Sequence, residues 1–298
     1  MGSDKIHHHH HHMITFIGHV SKDVNVVDGK REIAYGGGVV MGAITSSLLG
    51  VKTKVITKCT REDVSKFSFL RDNGVEVVFL KSPRTTSIEN RYGSDPDTRE
   101  SFLISAADPF TESDLAFIEG EAVHINPLWY GEFPEDLIPV LRRKVMFLSA
   151  DAQGFVRVPE NEKLVYRDWE MKEKYLKYLD LFKVDSREAE TLTGTNDLRE
   201  SCRIIRSFGA KIILATHASG VIVFDGNFYE ASFRSWSLEG RTGRGDTCTA
   251  AFLVGFVFKK MSIEKATKFA AAVTSVKMRH PGPLRREDLE AISGDQYF

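Results

Sequence analysis

The sequence predicts an α/β fold built on a largely parallel, helix-covered sheet, with a small β-structured flap beside it. Two patterns carry that expectation. Short apolar, β-branched runs recur along the chain with segments of helical spacing between most of them, and strand alternating with helix implies right-handed crossovers and parallel pairing. Two other stretches alternate polar and apolar residues around turn sequences, the signature of hairpins outside such a sheet.

Taken in order, His7 to His12 within MGSDKIHHHHHH read as an expression tag, so one domain is expected from Met13 through residue 298. The strand runs are 14-ITFI-17, 54-KVIT-57, 75-VEVVFL-80, 122-AVHI-125, 145-VMFLS-149, 181-LFKV-184, 211-KIILAT-216 and 221-VIVF-224. Helical spacing marks 39-VVMGAITSSLLG-50, 135-EDLIPVLRR-143, 188-EAETLTG-194 and 198-LRESCRIIRSF-208. Three of these close near Gly50, Gly194 and Gly209, as glycine C-caps do. The flap is expected from residues 20–36, around Asp28-Gly29, and 84–104, around a Gly-Ser-Asp-Pro turn. No internal repeat or linker marks a second domain.

Composition narrows the function classes. The 298 residues carry 40 Lys and Arg against 41 Asp and Glu, a formal net charge of -1, so the charge points to neither nucleic acid nor an anionic membrane. No apolar run reaches the roughly 20 residues of a membrane span, and a cytoplasmic protein is expected. Cys59, Cys202 and Cys248 are odd in number and far apart, which argues for reduced, structural thiols.

The stretch 240-GRTGRGDTCTAAF-252 sets glycines, arginines and one aspartate before a small, apolar helical run. The first N–H groups of a helix lack intrahelical partners and carry partial positive charge. Glycines there let an anion approach closely, and Asp246 beside them can take a proton from an attacking hydroxyl. That combination suggests phosphoryl transfer to an alcohol, although the same residues also describe a simple N-cap with a tight turn. A P-loop is excluded by the absence of G-x-x-x-x-G-K-[ST]. The run 36-GGGVVMG-42 does not directly follow the first strand, which argues against a dinucleotide fold, and Arg244-Gly245-Asp246 leads into a buried helix, which argues against an adhesion motif.

In sequence order, 18-GHVSKD-23, 36-GGGVVMGAITSSLLG-50, 185-DSREAETLTG-194, 216-THASG-220 and 242-TGRGDTCTAAFLVG-255 resemble the ribokinase-type, or PfkB, carbohydrate kinases over essentially the whole tag-free chain. The resemblance implies a three-layer α/β/α sandwich with a β lid, ATP and Mg2+ as cofactors, and a homodimer through the lid. It implies Asp246 as catalytic base, with Gly243, Arg244 and Gly245 as the anion hole. Asp185 and Glu188 match the element that organises magnesium, Glu188 through water. Thr216 and Gly220 match the nucleotide loop, with residues 270–283 lining the adenine. Asp23, Gly37 and Met41 match acceptor positions, Met41 standing where ribokinases carry an asparagine, which argues against ribose. Gln153 and Arg157 follow a strand where the family contacts substrate, although Arg157 can equally pair with a surface acid. Asn90, Arg91 and Tyr92 are expected to cover the substrate. Arg241 and Arg244 replace smaller residues, and at least one is expected to reach a phosphate. The expected acceptor is a sugar, sugar acid or cyclitol such as myo-inositol, the alternatives being a nucleoside kinase or a non-catalytic sensing protein.

Overall fold

Each expected strand run forms a strand in the computed structural model, which describes residues 12–93, 99–234 and 238–293. The tag through residue 11 and the Ser-Asp-Pro part of the flap turn lie outside the described residues. The strands are β1 (Met13–Ile17), β2 (Ser21–Val27), β3 (Lys30–Gly36), β4 (Lys52–Cys59), β5 (Glu76–Lys81), β6 (Thr86–Tyr92), β7 (Arg99–Ser105), β8 (Ala122–Ile125), β9 (Phe147–Asp151), β10 (Arg157–Glu160), β11 (Lys163–Tyr166), β12 (Leu181–Asp185), β13 (Ile212–His217), β14 (Gly220–Phe224) and β15 (Phe228–Ser232). The longer helices are α1 (Gly38–Leu48), α2 (Leu137–Arg142), α3 (Ser186–Thr193), α4 (Leu198–Ser207), α5 (Arg244–Leu253) and α6 (Ile263–Lys277).

Nine strands form the main sheet in the order β15-β14-β13-β12-β9-β8-β1-β4-β5. Pairing is parallel from β13 to β5, and β14 and β15 add antiparallel strands at one edge. Burial on both faces explains the continuous apolar strand sequences. Neighbouring residues feed opposite cores: Phe16, Val55, Leu181 and Leu214 pack with α1, α5 and α6, whereas Ile17, Ile56, Phe182 and Ile213 pack with α2, α3 and α4. The molecule is therefore a three-layer sandwich.

A second sheet runs β10-β11-β7-β6-β2-β3. Asp28 and Gly29 turn the β2–β3 hairpin with φ of 50° and 75°, the left-handed pair that suits strand twist. The hairpin β10–β11 completes this sheet, an addition that none of the expected strand runs includes. Strand β9 also runs two residues later than its apolar run suggested, which puts Asp151 at its end.

A buried polar knot joins the two sheets. Glu132, fully buried, accepts the backbone N–H of His19 at 2.7 Å and of Leu128 at 2.8 Å on separate oxygens. The His19 ring meets the Asp108 carbonyl at 2.9 Å through Nε2 and the Thr86 hydroxyl at 2.8 Å through Nδ1. Because a carbonyl only accepts, Nε2 donates and Nδ1 accepts from Thr86. Burial keeps this imidazole neutral, its pKa lowered to about 3, and pushes the Glu132 carboxyl up to about 8. The knot anchors the first residue of β6 to the main body. No helix among the described residues is long and apolar enough to cross a membrane. Glu132→Gln sets an amide NH2 against one of the two N–H donors and is expected to cost about 2 kcal/mol, read as a lower midpoint in thermal unfolding.

Candidate active site

The site lies where β9, β12 and β13 end and α5 begins, on the strand-end side where open α/β sheets bind ligands. Gly243, with φ of 81°, is the N-cap of α5, a conformation that favours glycine. Its missing side chain also makes room for Met41, since a Cβ at Gly243 would lie 2.6 Å from the Met41 Cγ. A Cβ at Gly245 would lie 2.7 Å from the Lys183 Nζ and 3.6 Å from the Thr216 Oγ1. The glycines thus let the start of α5 descend onto the strand ends. Its first N–H groups remain available to an anion.

Asp246 follows in the first turn of α5 and is half-buried. Asn126 Nδ2 donates to its Oδ1 at 3.4 Å. Burial, then the Asp151 carboxylate, push the Asp246 carboxyl up to about 6, while Lys183 and Asn126 restrain it. A carboxylate tuned to that range can accept a hydroxyl proton near neutrality.

Lys183 sits beneath the helix start with its ammonium 3.6 Å from Asp151 Oδ2 and 3.9 Å from Glu188 Oε1. Burial disfavours the charge, but Asp151, Glu188, Asp185 and Asp246 outweigh it and raise the pKa. Asp185 and Glu188 form a capping box on α3: Asp185 Oδ1 accepts the Glu188 N–H at 2.7 Å, and Glu188 Oε1 accepts the Asp185 N–H at 2.8 Å. Burial and the Asp185 carboxylate push Glu188 well above the usual carboxylate range, against the pull of Lys183. One oxygen of each carboxylate stays outside the box, so a hydrated divalent cation still finds donors there.

Arg241 and Arg244 flank the helix start. Burial, then the Arg241 charge, lower the Arg244 pKa, and Asp185 opposes them. Burial, then Arg244, likewise lower His217 at the end of β13. The two guanidinium groups thus place positive charge beside the helix start. Thr216 is buried beside Gly245. Gly220 has a different reason for being glycine: a Cβ there would lie 2.3 Å from the Ala231 carbonyl oxygen of β15, so strand packing accounts for it.

The second sheet supplies the other wall. Asn25, Asn90 and Ser101 lie in one row across β2, β6 and β7, with Asn90 Nδ2 donating to Asn25 Oδ1 at 3.0 Å and Ser101 Oγ donating to Asn90 Oδ1 at 2.7 Å. Asp23 and Tyr92 share this face by strand alternation. Burial raises the Asp23 carboxyl, opposed by Ser21, Arg157 and Arg99. Arg91 departs from expectation: it points to the opposite face, pairs with Glu89 at 2.7 Å and stacks over Phe102, because neighbouring strand residues alternate. Arg157 is 5% exposed and makes no ion pair among the described residues, so it is no partner of a surface acid. Gln153 opens a single-turn helix over Gln153–Val156, with Nε2 3.5 Å from the Leu128 carbonyl. Gly37 caps α1 with φ of 112° and meets the His19 carbonyl closely, a backbone junction that leaves no side chain for contact.

Two residues of this site escaped the sequence reading. Lys183 was visible as the single charge inside the apolar run LFKV, and Asn126 as the first polar residue after β8. Nothing in the sequence showed that the turn around Gly18 and Gly38 presses Asn126 toward Asp246, with a Cβ at Gly38 falling 2.5 Å from the Asn126 Oδ1.

Comparison with known proteins follows the same lines. The sequence profile of the pfkB family carbohydrate kinases matches residues 11–288. A cytidine kinase from Thermococcus kodakarensis is 26% identical over 256 residues, 82% of this chain and 88% of that protein. A solved structure described as a pyrophosphate-dependent kinase in the ribokinase family, complexed with a pyrophosphate analog and myo-inositol, is 97% identical over 94% of this chain and 100% of that one, with a TM-score of 0.91. Another, described as a pyrophosphate-dependent myo-inositol-1 kinase converted into a myo-inositol-3 kinase by mutation, is 96% identical over 96% and 100% of the chains, with a TM-score of 0.91. Arabidopsis thaliana ribokinase complexed with ribose and ATP shares the fold at 19% identity over 95% and 99% of the chains, with a TM-score of 0.76. With a family profile spanning nearly its whole length and the sandwich, second sheet and glycine-led helix start in place, the chain belongs to the pfkB family of carbohydrate kinases.

Proposed function

We propose that the protein transfers a phosphoryl group from inorganic pyrophosphate to one hydroxyl of myo-inositol. The observation that carries this reading is the donor end of the site. There the Arg241 charge stands close enough to disfavour that of Arg244, beside the buried Lys183 and the open start of α5. Such a cluster suits a small donor whose charge is concentrated on phosphates. The 97% identical structure, described with a pyrophosphate analog and myo-inositol, supports donor and acceptor alike. Pyrophosphate therefore replaces, in this reading, the ATP that family resemblance implies.

Asp246 takes the proton of the attacking hydroxyl as the new P–O bond forms. The N–H groups at the start of α5 receive charge developing on the transferred phosphoryl oxygens, and Arg241 and Arg244 hold the departing phosphate. Lys183 restrains the rise in the Asp246 pKa, so the base stays ionised near neutral pH. Asp185 and Glu188 are the residues to hold hydrated Mg2+, which would neutralise phosphate charge during transfer. Asp23, Asn90, Gln153 and Arg157 offer acceptors and donors to a ring of hydroxyls, and the second sheet excludes water from the reaction. Two copies are proposed to pair through that sheet, where Ile33 is 56% exposed and Val27 48% exposed.

The test is a release assay with myo-inositol, comparing phosphate formed from pyrophosphate with ADP formed from ATP, and with cytidine as a second acceptor. Pyrophosphate with myo-inositol is expected to give the highest kcat/KM; ATP-dependent turnover alone would discard the donor assignment. Arg244→Ala is expected to raise the pyrophosphate KM about tenfold or more, the loss of a charge-assisted contact. Asp246→Asn is expected to lower kcat by roughly 10²–10⁴ with little change in substrate binding. For the unaltered protein, kcat/KM should fall as pH drops through about 6, because the active base is the ionised form of a carboxyl with that pKa. A flat profile from pH 5 to 7 would place the base elsewhere. Sedimentation velocity should show a dimer that Ile33→Asp dissociates.

A further inference from the structure

Lys277, the last residue of α6, is fully buried, yet it lies outside the acceptor wall and the carboxylate cluster. Its Nζ donates to the Gly240 carbonyl at 2.7 Å and to the His280 carbonyl at 3.4 Å. No carboxylate pairs with it directly among the described residues. Asp288 favours its charge from a distance and Arg285 opposes it, while Asp288 itself is held by the His280 ring at 2.6 Å and the Arg285 N–H at 2.8 Å. Burying an ammonium on carbonyls alone is unfavourable. An apolar side chain would fill the same space without that penalty.

The carbonyl it holds belongs to the turn that carries the donor-binding charges. Gly240 ends against the backbone of residue 278 so tightly that a Cβ there would lie 2.0 Å from the Met278 carbonyl oxygen. Arg241 comes next, and Gly243 and Arg244 follow within one turn. The segment is thus clamped on one side by the end of α6 and leads on the other into the start of α5.

We propose that Lys277 is a positioning residue for the phosphoryl donor, fixing the Gly240 carbonyl so that Arg241 and the Gly243–Arg244 helix start face the phosphates without rearrangement. A donor loop held in place in the free enzyme binds phosphate without an ordering cost. Releasing the clamp should weaken the donor and spare the acceptor, whose proposed side chains Asp23, Asn90 and Arg157 stand on the other sheet. The inference rests on the donor reading given above.

The experiment measures steady-state KM for pyrophosphate and for myo-inositol, together with thermal midpoint, in Lys277→Met and Lys277→Arg. Lys277→Met is expected to raise the pyrophosphate KM at least tenfold and leave the myo-inositol KM within twofold; a pyrophosphate KM within twofold of the parent would overturn the proposal. A merely structural lysine would lower the midpoint and the amount of active enzyme without separating the two KM values. Lys277→Arg keeps a cation and is expected to recover most of the donor affinity. A second readout uses pH and survives poor folding of the methionine variant. Burial lowers the Lys277 pKa to about 8, so the ammonium is present below that pH and lost above it. The pyrophosphate KM of the parent should climb between pH 7.5 and 9 more steeply than that of Lys277→Arg, and superimposable profiles would count against the clamp. If the parent enzyme proves to use ATP instead, the donor reading fails separately, and the same comparison with ATP decides the role of Lys277.

Discussion

The active site depends on one buried charge, the ammonium of Lys183. Four carboxylates, Asp151, Asp185, Glu188 and Asp246, converge on the ends of β9 and β12 and the starts of two helices. Burial pushes the Asp246 and Glu188 carboxyls up, and Lys183 opposes the rise in both. Its ammonium stands among the four, 3.6 Å from Asp151 and 3.9 Å from Glu188. Its position favours glycine at 245, since a Cβ there would lie 2.7 Å from the ammonium nitrogen. The descent of α5 onto the strands follows from the same contact.

From this centre the electrostatics divide. On one side carboxylates outnumber cations, which suits a divalent metal and a proton-accepting base. On the other, the Arg241 charge lies close enough to Arg244 to lower its pKa, and a pair of guanidinium groups suits phosphate. The acceptor wall differs again: its row of Asn25, Asn90 and Ser101 is neutral and internally hydrogen-bonded. The buried His19–Glu132 knot ties that wall to the main body near the start of β6.

Much of this was legible in the sequence because parallel strands buried on both faces write themselves as uninterrupted apolar runs. The glycine-led start of α5 was ambiguous by itself and became legible through the four other motifs that accompany it in order. What stayed hidden depended on packing between distant segments. Asn126 acquires its contact with Asp246 only because the turns around Gly18 and Gly38 close against it. Gly220 looked like a ligand loop, yet the β14–β15 pairing explains it. Arg91 faces away from the row of Asn90 because a hairpin pattern gives alternation without saying which face is inward, and Arg157, paired with Tyr166 across β10 and β11, is buried in a hairpin that no local pattern announces. The sensing-protein alternative fell with the family assignment.

The two substrates meet different kinds of architecture, and this bears on how such an enzyme diversifies. The proposed donor end stands on a turn and a helix start, whose backbone N–H groups do not depend on the side chains at 241 and 244. Exchanging one phosphate carrier for another therefore requires few substitutions and no change of backbone. The acceptor end stands on strand faces whose side chains hydrogen-bond one another, so altering Asn90 also unpartners Asn25 and Ser101. Acceptor preference is thus expected to shift through paired substitutions, and donor preference through independent ones.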